Sequence, residues 1–445
     1  MPIRLADPIA LGSLQLPNRL YRAPVLEGAG SARDPAAAYA HHFVPNVAAG
    51  LGLVIQGNTI VLPEGRTSPG MSAIGERARM LALAPLTRAV HQAGGKIIIQ
   101  LGHGGLFALE GWHRDFLPGR SAPPLAPSPT RLWMRAVQRS DTTILSTADV
   151  ARLAERFGLV AAWAREAGYD GVQLAGSNAK LLHQFLSPTF NRRKDRYGGD
   201  LVGRTTFIRE IRDAIAREAG ADYPVLLKYT AVEHAPFGRG IDLEEGVQVA
   251  RIAEQAGFCA VTPVIADALP NTSICRGEFP RPSFDNAAMR RRLLGATGSR
   301  LRAAAVFVGM WLAARKYPFA PVWNRDVFAA VKAAVKIPVF AVGGIRTPQE
   351  AAEILAHGHA DMIGIGRPFY AEPDLARRFL NESSAASTTA CESCNRCIVP
   401  QMLGMPGVCY NPEIHKIRRR RADEGNTEPG TTAGSPVAEA TQKVA

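Results

Sequence analysis

The chain has 445 residues, of which 47% are hydrophobic and 20% are charged, with a formal net charge of +13 at pH 7. These values are typical of a globular protein, either one large α/β barrel with extensions or two ordinary domains. The best candidate for a membrane span, 301–314, is too short and contains Arg302. The N-terminus lacks a secretory pattern, so we expect a cytoplasmic protein without a membrane partner.

The positive charge is concentrated in two stretches of the chain, 276–316 and 418–421. Basic runs of this kind are usually solvated. No basic surface interleaved with aromatic residues and no known nucleic-acid motif accompanies them. We therefore expect no nucleic-acid partner.

Eight short apolar runs along the chain predict strands, and amphipathic segments between them predict helices. Thr347 and Glu350, on either side of Pro348, predict a helix start with a capping box. Regular βα alternation predicts a (β/α)8 TIM barrel with its site at the carboxyl ends of the strands. The predicted strands are Leu20–Val25, Leu53–Gln56, Lys96–Leu101, Gly171–Leu174, Pro224–Tyr229, Ala260–Pro263, Val339–Val342 and Met362–Gly366.

The barrel is expected to occupy residues 1–382, with a long insertion after strand six at about 267–323. The insertion contains a predicted loop at 270–272 and a predicted helix at 301–315. It could form a wall over the barrel mouth or pack only on the flank, and the sequence favours neither. Residues 383–417 form a cysteine-containing extension, and 418–445, without periodicity, predict a disordered basic tail.

The most informative stretch is 168–199, where a short apolar strand leads into a long polar loop. The loop has no repeat and no low complexity, and its fixed points include Gln184, Asn191 and Tyr197. Long loops of this kind at a strand end are more often functional than not.

Glycines at the ends of strands seven and eight predict an anion site. Gly343 and Gly344 follow strand seven, and Gly366 with Arg367 follows strand eight. Backbone N–H groups at such positions can approach a phosphate, and the arginine adds positive charge. Gln100, which ends predicted strand three, has a side-chain amide that can both donate and accept hydrogen bonds.

These segments resemble the old yellow enzyme family of FMN-dependent ene reductases, over roughly residues 8–380. The resemblance implies FMN as cofactor, with Gln100 at its pyrimidine ring and Lys228, at the end of strand five, near N1. It implies a phosphate site at Gly343, Gly344, Gly366 and Arg367. It also implies contacts at the ends of strands one and two, from Ala23, Pro24, Val25, Leu26 and Gly57.

The substrate positions of that family differ in this chain. Where the family has His, then Asn or His, then Tyr after strand four, this sequence has Ala175, Asn178 and Lys180. Asn178 retains one donor for a substrate carbonyl, and Lys180 could supply a proton or bind an anionic group. We therefore assign Asn178 and Lys180 as the candidate catalytic residues. Ala175 removes one donor.

Four cysteines form a C-x2-C-x2-C-x11-C pattern at Cys391, Cys394, Cys397 and Cys409. Thiolates at this spacing suit an iron–sulfur cluster or structural zinc. The segment resembles that of the trimethylamine dehydrogenase and 2,4-dienoyl-CoA reductase branch, which implies a [4Fe–4S] cluster. Reduced cysteines without metal remain the alternative.

The resulting hypothesis is an FMN-dependent oxidoreductase that moves a hydride between flavin N5 and a small organic substrate. The substrate would be an activated alkene or an oxidisable amine or alcohol. NAD(P)H is implied as reductant by the resemblance alone, since no dinucleotide fingerprint occurs. The alternative is a flavin- or cluster-binding electron-transfer or partner subunit without ene-reductase activity. A homo-oligomer and a separate redox partner are both compatible with the sequence.

Overall fold

Eight parallel strands form the centre of the protein. The structure, a computed structural model, describes residues 3–108, 123–136, 142–269, 272–381 and 388–417. Neighbouring strands are joined in the spatial order six, five, four, three, two, one, eight, seven. An isolated parallel bridge between Val261 and Val339 joins strand six to strand seven and closes the sheet. The predicted (β/α)8 barrel is therefore confirmed, with strands Leu20–Arg22, Leu53–Ile60, Lys96–Gly102, Gly171–Gly176, Val225–His234, Ala260–Asp267, Phe340–Val342 and Met362–Ile365.

All eight predicted strands exist, but several of their ends were predicted wrongly. Strand one ends at Arg22, so 23–26 is a post-strand segment. Strand two continues past Gly57, which lies at a β-bulge between Gln56 and Thr59 and not at the strand end. Strand five continues to His234, beyond Lys228. The apolar pattern did not predict the extensions of strands two and five, because strand residues near the rim of the barrel include polar side chains.

Helices surround the barrel and begin where the sequence provides caps. Thr347 and Glu350 form the predicted capping box, with both hydrogen bonds present. No helix in the described part of the chain is long and apolar enough to cross a membrane. The α-helices in the described part of the chain include Pro35–Ala48, Arg77–Leu81, Ala84–Gln92, Thr147–Glu166, Leu181–Leu186, Leu201–Ala219, Leu243–Gln255, Arg281–Asp285, Ala287–Thr297, Arg300–Lys316, Arg325–Lys332, Pro348–Ala356, Pro368–Ala371, Leu375–Leu380 and Ile398–Met402.

A hairpin near the N-terminus covers the amino end of the barrel. Its strands, Ile9–Leu11 and Leu14–Leu16, pair antiparallel. Buried leucines from the hairpin pack with Tyr21, Leu226 and Phe340 in one apolar cluster. The amino end of the barrel interior is thus filled by side chains, and polar chemistry is left to the carboxyl end.

The insertion after strand six packs mainly on the cysteine-containing extension. Helices Ala287–Thr297 and Arg300–Lys316, the second close to the predicted 301–315, form a small apolar core with helix Ile398–Met402. Part of the predicted loop, 270–271, and the predicted disordered tail, 418–445, lie outside the described residues.

A buried ion pair holds the segment that follows strand one. Arg22 Nη2 donates to Glu27 Oε1 at 3.1 Å, and both side chains are only 1% exposed. Arg22 also donates to Asn46 Oδ1 at 2.6 Å and lies 5.0 Å from the ring centre of Phe43. Burial, opposed by Arg22, raises the pKa of Glu27 to about 7. The pair anchors both ends of the 23–26 segment.

We expect Arg22→Met to lower the free energy of unfolding by about 3–5 kcal/mol, because the Glu27 carboxylate loses its cation in a buried site. The double variant Arg22→Met/Glu27→Gln should recover part of that loss. Urea unfolding followed by circular dichroism measures both. Arg4→Met, at the exposed pair with Asp7, is the control and should leave the midpoint unchanged. An equal effect of Arg22→Met and Arg4→Met would contradict the prediction.

Candidate active site

Buried amides form a polar row inside the barrel near its carboxyl end. Gln100 Nε2 donates to Gln173 Oε1 at 2.7 Å, and Gln173 Nε2 approaches Thr262 Oγ1 at 3.4 Å. Gln100 and Gln173 are paired in register on strands three and four, so their side chains face the same interior. The side-chain oxygen of Gln100, Oε1, accepts no hydrogen bond among the described residues, which leaves this atom available to a ligand. The Gln100 side chain, which the resemblance places at the flavin pyrimidine ring, thus lies inside the barrel.

Lys228 places a positive charge beside this row. It is paired in register with Ala175 on strand four and with Thr262 on strand six. Burial lowers the pKa of Lys228 to about 8, opposed by the nearby Cys275 thiol. Among the described residues, the Lys228 ammonium has no hydrogen-bond or ion-pair partner. A partly buried cation of this kind favours an anionic or carbonyl-rich ligand.

The segment after strand one approaches strand two very closely. A Cβ at Gly57 would overlap the carbonyl oxygen of Val25, so only glycine fits there. Ala23 N donates to Ile365 O at 2.9 Å, which continues the pairing with strand eight beyond the strand end. Leu26 O accepts from Tyr370 Oη at 3.0 Å. Ala23, Pro24, Val25, Leu26 and Gly57 therefore form one continuous edge of the rim.

The residues predicted to bind phosphate, Gly343 with Gly344 and Gly366 with Arg367, follow strands seven and eight. Gly343 and Gly344 have φ values of +122° and +79°, a backbone region that side chains disfavour. The guanidinium of Arg367, next to Gly366, donates to Asn395 Oδ1 and to Arg276 O, the latter at 2.8 Å. Arg367 thus connects the end of strand eight to the insertion and to the cysteine-containing extension.

The loop after strand four is held rigidly by buried polar contacts. Asn178 and Ala179 have φ values of +52° and +55°. Ala179 N donates to His183 Nδ1 at 2.8 Å, and His183 Nε2 lies 3.3 Å from Glu233 Oε1. Gln184 Nε2 donates to Ala179 O at 2.7 Å. These contacts support the strained turn that presents Asn178.

Lys180 lies at the rim between the loops after strands two and three. Its Nζ donates to Thr67 Oγ1 at 2.6 Å. Although Lys180 keeps some exposed surface, the surrounding protein lowers its pKa to about 8. Burial and the Lys180 charge lower the pKa of His103 to about 4, so His103 is neutral at pH 7. At neutral pH, Lys180 is therefore the positively charged group that can give up a proton, whereas the His103 imidazole is uncharged.

Sequence reasoning overlooked Asn58, which lies beside Ala175. A Cβ placed on Gly102 would be 2.5 Å from Asn58 Oδ1 and 2.9 Å from Ala175 Cβ, so the three residues adjoin. Both amide atoms of Asn58 are buried without a hydrogen-bond partner among the described residues, as is Asn178 Oδ1. No sequence motif marks Asn58, because the bulge in strand two sets its direction.

The four patterned cysteines meet in one pocket. Cys391, Cys394, Cys397 and Cys409 all line one small, partly open pocket, together with Arg367 and Tyr370. Between the cysteines, Ser393 and Asn395 have φ values of +58° and +56°. Such turns can aim successive backbone N–H groups at an anionic centre, as in many iron–sulfur sites.

The geometry of this pocket bears on which metal it could hold. Within the described residues, no three His, Cys, Asp or Glu side chains converge closely enough for a single metal ion. The cysteines nevertheless share one cavity. A cluster of several irons and a single zinc ion both take cysteine thiolates as ligands.

Several proteins of known activity are similar in sequence. The chain is 26% identical to an NADH oxidase of Thermoanaerobacter brockii, over 96% of this chain and 60% of the relative. It is 25% identical to a cinnamate reductase of Clostridium sporogenes, over 88% of this chain and 54% of the relative. A 4,4'-dithiodibutanoate disulfide reductase of Rhodococcus erythropolis is 28% identical, with 88% and 91% coverage. The chain thus spans little more than half the length of the first two relatives.

Solved structures agree on the fold. Histamine dehydrogenase from Rhizobium sp. 4-9 superimposes with a TM-score of 0.71 at 21% identity, over 93% of this chain and 52% of that one. Morphinone reductase superimposes with a TM-score of 0.62 at 24% identity, over 88% and 93%. The profile of the NADH:flavin oxidoreductase / NADH oxidase family matches residues 4–264 and 283–384. This match covers most of the barrel described above, and the chain therefore belongs to the NADH:flavin oxidoreductase / NADH oxidase family.

Proposed function

We propose that this chain is an FMN-dependent oxidoreductase that transfers a hydride between flavin N5 and a small activated alkene. The observation that carries the proposal is Lys228, a partly buried ammonium without a partner among the described residues, on the strand next to Thr262 of the polar row that includes Gln100. A flavin pyrimidine ring needs a cation near N1 and an amide that both donates and accepts. The closely approaching backbone at Gly57 and the left-handed backbone at Gly343 and Gly344 also fit FMN.

Each rim residue has a distinct role in this proposal. Gln100 and Lys228 hold the pyrimidine edge of FMN, while Gly343, Gly344, Gly366 and Arg367 surround its phosphate. FMN itself, when bound, supplies the hydride. Asn178 donates a hydrogen bond to the substrate carbonyl, which withdraws electrons from the alkene. Lys180, protonated at pH 7, delivers a proton to the substrate carbon next to the carbonyl.

NAD(P)H is the proposed reductant, a role consistent with family membership and with the NADH oxidase relative. Activated alkenes are preferred over amines and alcohols as substrates because the described rim residues supply hydrogen-bond donors and a proton. His103, whose pKa is lowered to about 4, is a neutral buried imidazole close to Lys180. A separate redox partner and a homo-oligomer remain compatible with the proposal.

A second candidate function is electron transfer through a [4Fe–4S] cluster held by Cys391, Cys394, Cys397 and Cys409. It is favoured by the single pocket that all four cysteines line. Arg367 and Tyr370 lie between that pocket and the barrel rim. A cluster here would supply one-electron chemistry close to the flavin site, either in addition to alkene reduction or in place of it.

We expect Lys228→Met to weaken FMN binding at least tenfold, because the site loses the cation beside the pyrimidine ring. Quenching of flavin fluorescence on titration of the apoprotein measures the dissociation constant. Lys194→Met, which removes an exposed lysine, should leave the constant unchanged. If the wild-type chain takes up no FMN, the proposed function is wrong.

Reoxidation of the FMN-loaded, reduced protein by cinnamate should slow about tenfold per pH unit above pH 8. The reason is that the pKa of Lys180 is lowered to about 8, so its proton is present below that pH and lost above it. Lys180→Met should slow the reaction about 10²–10⁴-fold and abolish this pH dependence. Asn178→Ala should slow it while the pH dependence remains, and stopped-flow absorbance separates the two cases.

Anaerobically purified protein should contain about four irons per chain, a value that follows from the proposed cluster type. Cys394→Ser should reduce the iron content and remove the cluster absorbance. Cys259→Ser is the matched control, since that cysteine lies by the N-terminal hairpin and should leave iron unchanged. Stoichiometric zinc, or no metal in the wild type, would contradict the cluster proposal without affecting the FMN proposal.

A further inference from the structure

One helix of the insertion after strand six is apolar on all sides but covered on only one. Helix Arg300–Lys316 has no charged side chain between Arg302 and Arg315. Ala303 and Met310, seven positions apart on one face, are buried in the apolar core shared with the cysteine-containing extension. A helix that is hydrophobic all round is normally buried all round. Among the described residues, however, nothing covers the outer face of this helix.

Large apolar side chains form a stripe along that outer face. Leu301 is 82% exposed, Val308 is 49% exposed and Leu312 is 54% exposed. Their spacing of seven and four residues places them on one side of the helix. Trp311, three residues beyond Val308, extends the stripe, and its ring centre lies 4.3 Å from the guanidinium carbon of Arg315. We call these four apolar residues the outer stripe; a contiguous exposed patch of this kind marks an interaction surface.

The outer stripe is accompanied by positive charge and by no acidic residue. Residues 287–316 contain no Asp or Glu. Lys316 pairs with Asp267, outside this range, with Nζ 3.6 Å from Oδ1. Six other cations are exposed and form no ion pair in the described part of the chain; they lie on the preceding helix, Ala287–Thr297, or near the two ends of the stripe: Arg290, Arg291, Arg292, Arg300, Arg302 and Arg315. The surface therefore calls for an occupant that is both anionic and apolar.

We propose that helix Arg300–Lys316 binds the surface of an anionic lipid membrane, with the outer stripe inserted at the boundary between headgroups and acyl chains and the arginines held by the anionic headgroups. Basic amphipathic helices with Trp and Leu on their apolar face lie in membrane interfaces in this way. Each arginine near an anionic surface strengthens the binding. The helix is too short to span a bilayer. The sequence led us to expect no membrane partner because no segment could span, but binding to the surface requires no span.

The chemistry of the outer stripe fits a lipid surface better than a protein. Between Ala303 and Ala314 only Trp311 carries a strong hydrogen-bonding group, whereas protein interfaces use many polar contacts to fix their register. A second copy of this chain would fit poorly, because parallel and antiparallel pairing of the helix both bring arginine-bearing ends together, and like charges across an interface repel. A fluid lipid surface needs no fixed register and supplies the opposite charge.

Sedimentation of the full chain with lipid vesicles tests this proposal. One set of vesicles contains phosphatidylcholine alone, and the other contains equal parts of phosphatidylcholine and anionic phosphatidylglycerol. The wild type should bind the mixed vesicles roughly tenfold or more tightly than the neutral ones, and added salt should reduce the preference. The test does not depend on the proposed function, since neither flavin nor turnover is measured.

Val308→Ser/Leu312→Ser should weaken binding to the mixed vesicles roughly tenfold or more, because two inserted apolar side chains are lost. Arg300→Gln/Arg302→Gln should weaken it by a similar factor and leave binding to neutral vesicles unchanged. Leu301→Ser, at the most exposed position of the outer stripe, should weaken binding by a smaller factor, and it decides the question if the apolar double variant fails to fold by circular dichroism.

Two matched controls remove exposed side chains from other helices: Val202→Ser, and Arg88→Gln/Arg251→Gln. Both should bind the vesicles as the wild type does. If the wild type does not bind the mixed vesicles, the proposal is overturned and the surface belongs to a protein partner. Binding that survives Val308→Ser/Leu312→Ser unchanged would be electrostatic alone and would also overturn it. A dimer seen by light scattering without vesicles, and dissociated by the same double variant, would instead identify a second copy as the occupant.

Discussion

Closure of the parallel sheet is the constraint on which the rest of this structure depends. Because the bridge from Val261 to Val339 completes the circle, the carboxyl ends of all eight strands meet at one rim. The N-terminal hairpin fills the opposite end with leucine side chains. Residues far apart in the sequence, such as Gln100 and Gly343, are therefore brought to one mouth, where a cofactor could contact all of them.

Two segments outside the barrel are built onto that rim as a unit. The insertion after strand six and the cysteine-containing extension share an apolar core, and both connect to Arg367 through Arg276 O and Asn395 Oδ1. Gly407 N donates to Glu27 O at 2.6 Å, which ties the extension to the end of strand one. The cysteine pocket consequently adjoins the proposed flavin site and is not a separate appendage.

The substrate side of the rim differs chemically from that of ene reductases with a histidine after strand four. At the positions after strand four where those enzymes have the histidine and the tyrosine, this chain has Ala175 and Lys180, and the pKa of Lys180 is lowered. An amide donates without changing its charge, so Asn178 would donate equally across neutral pH. Lys180 then supplies the pH dependence of the proposed reaction, because its charge is lost near pH 8.

The sequence by itself determined the eight strands, the capping box at Thr347, the glycines at strands seven and eight, and the cysteine spacing, because each depends on residues close together in the chain. Apolar runs and glycine positions have local physical causes, so they can be read without a fold. Only the tertiary structure decided three other features: the bulge that directs Asn58 toward Ala175, the packing of the insertion on the extension, and the contacts of Arg367 with both. Each of these depends on contacts between distant segments, whose free energy is set by burial and register after the chain has closed into a barrel.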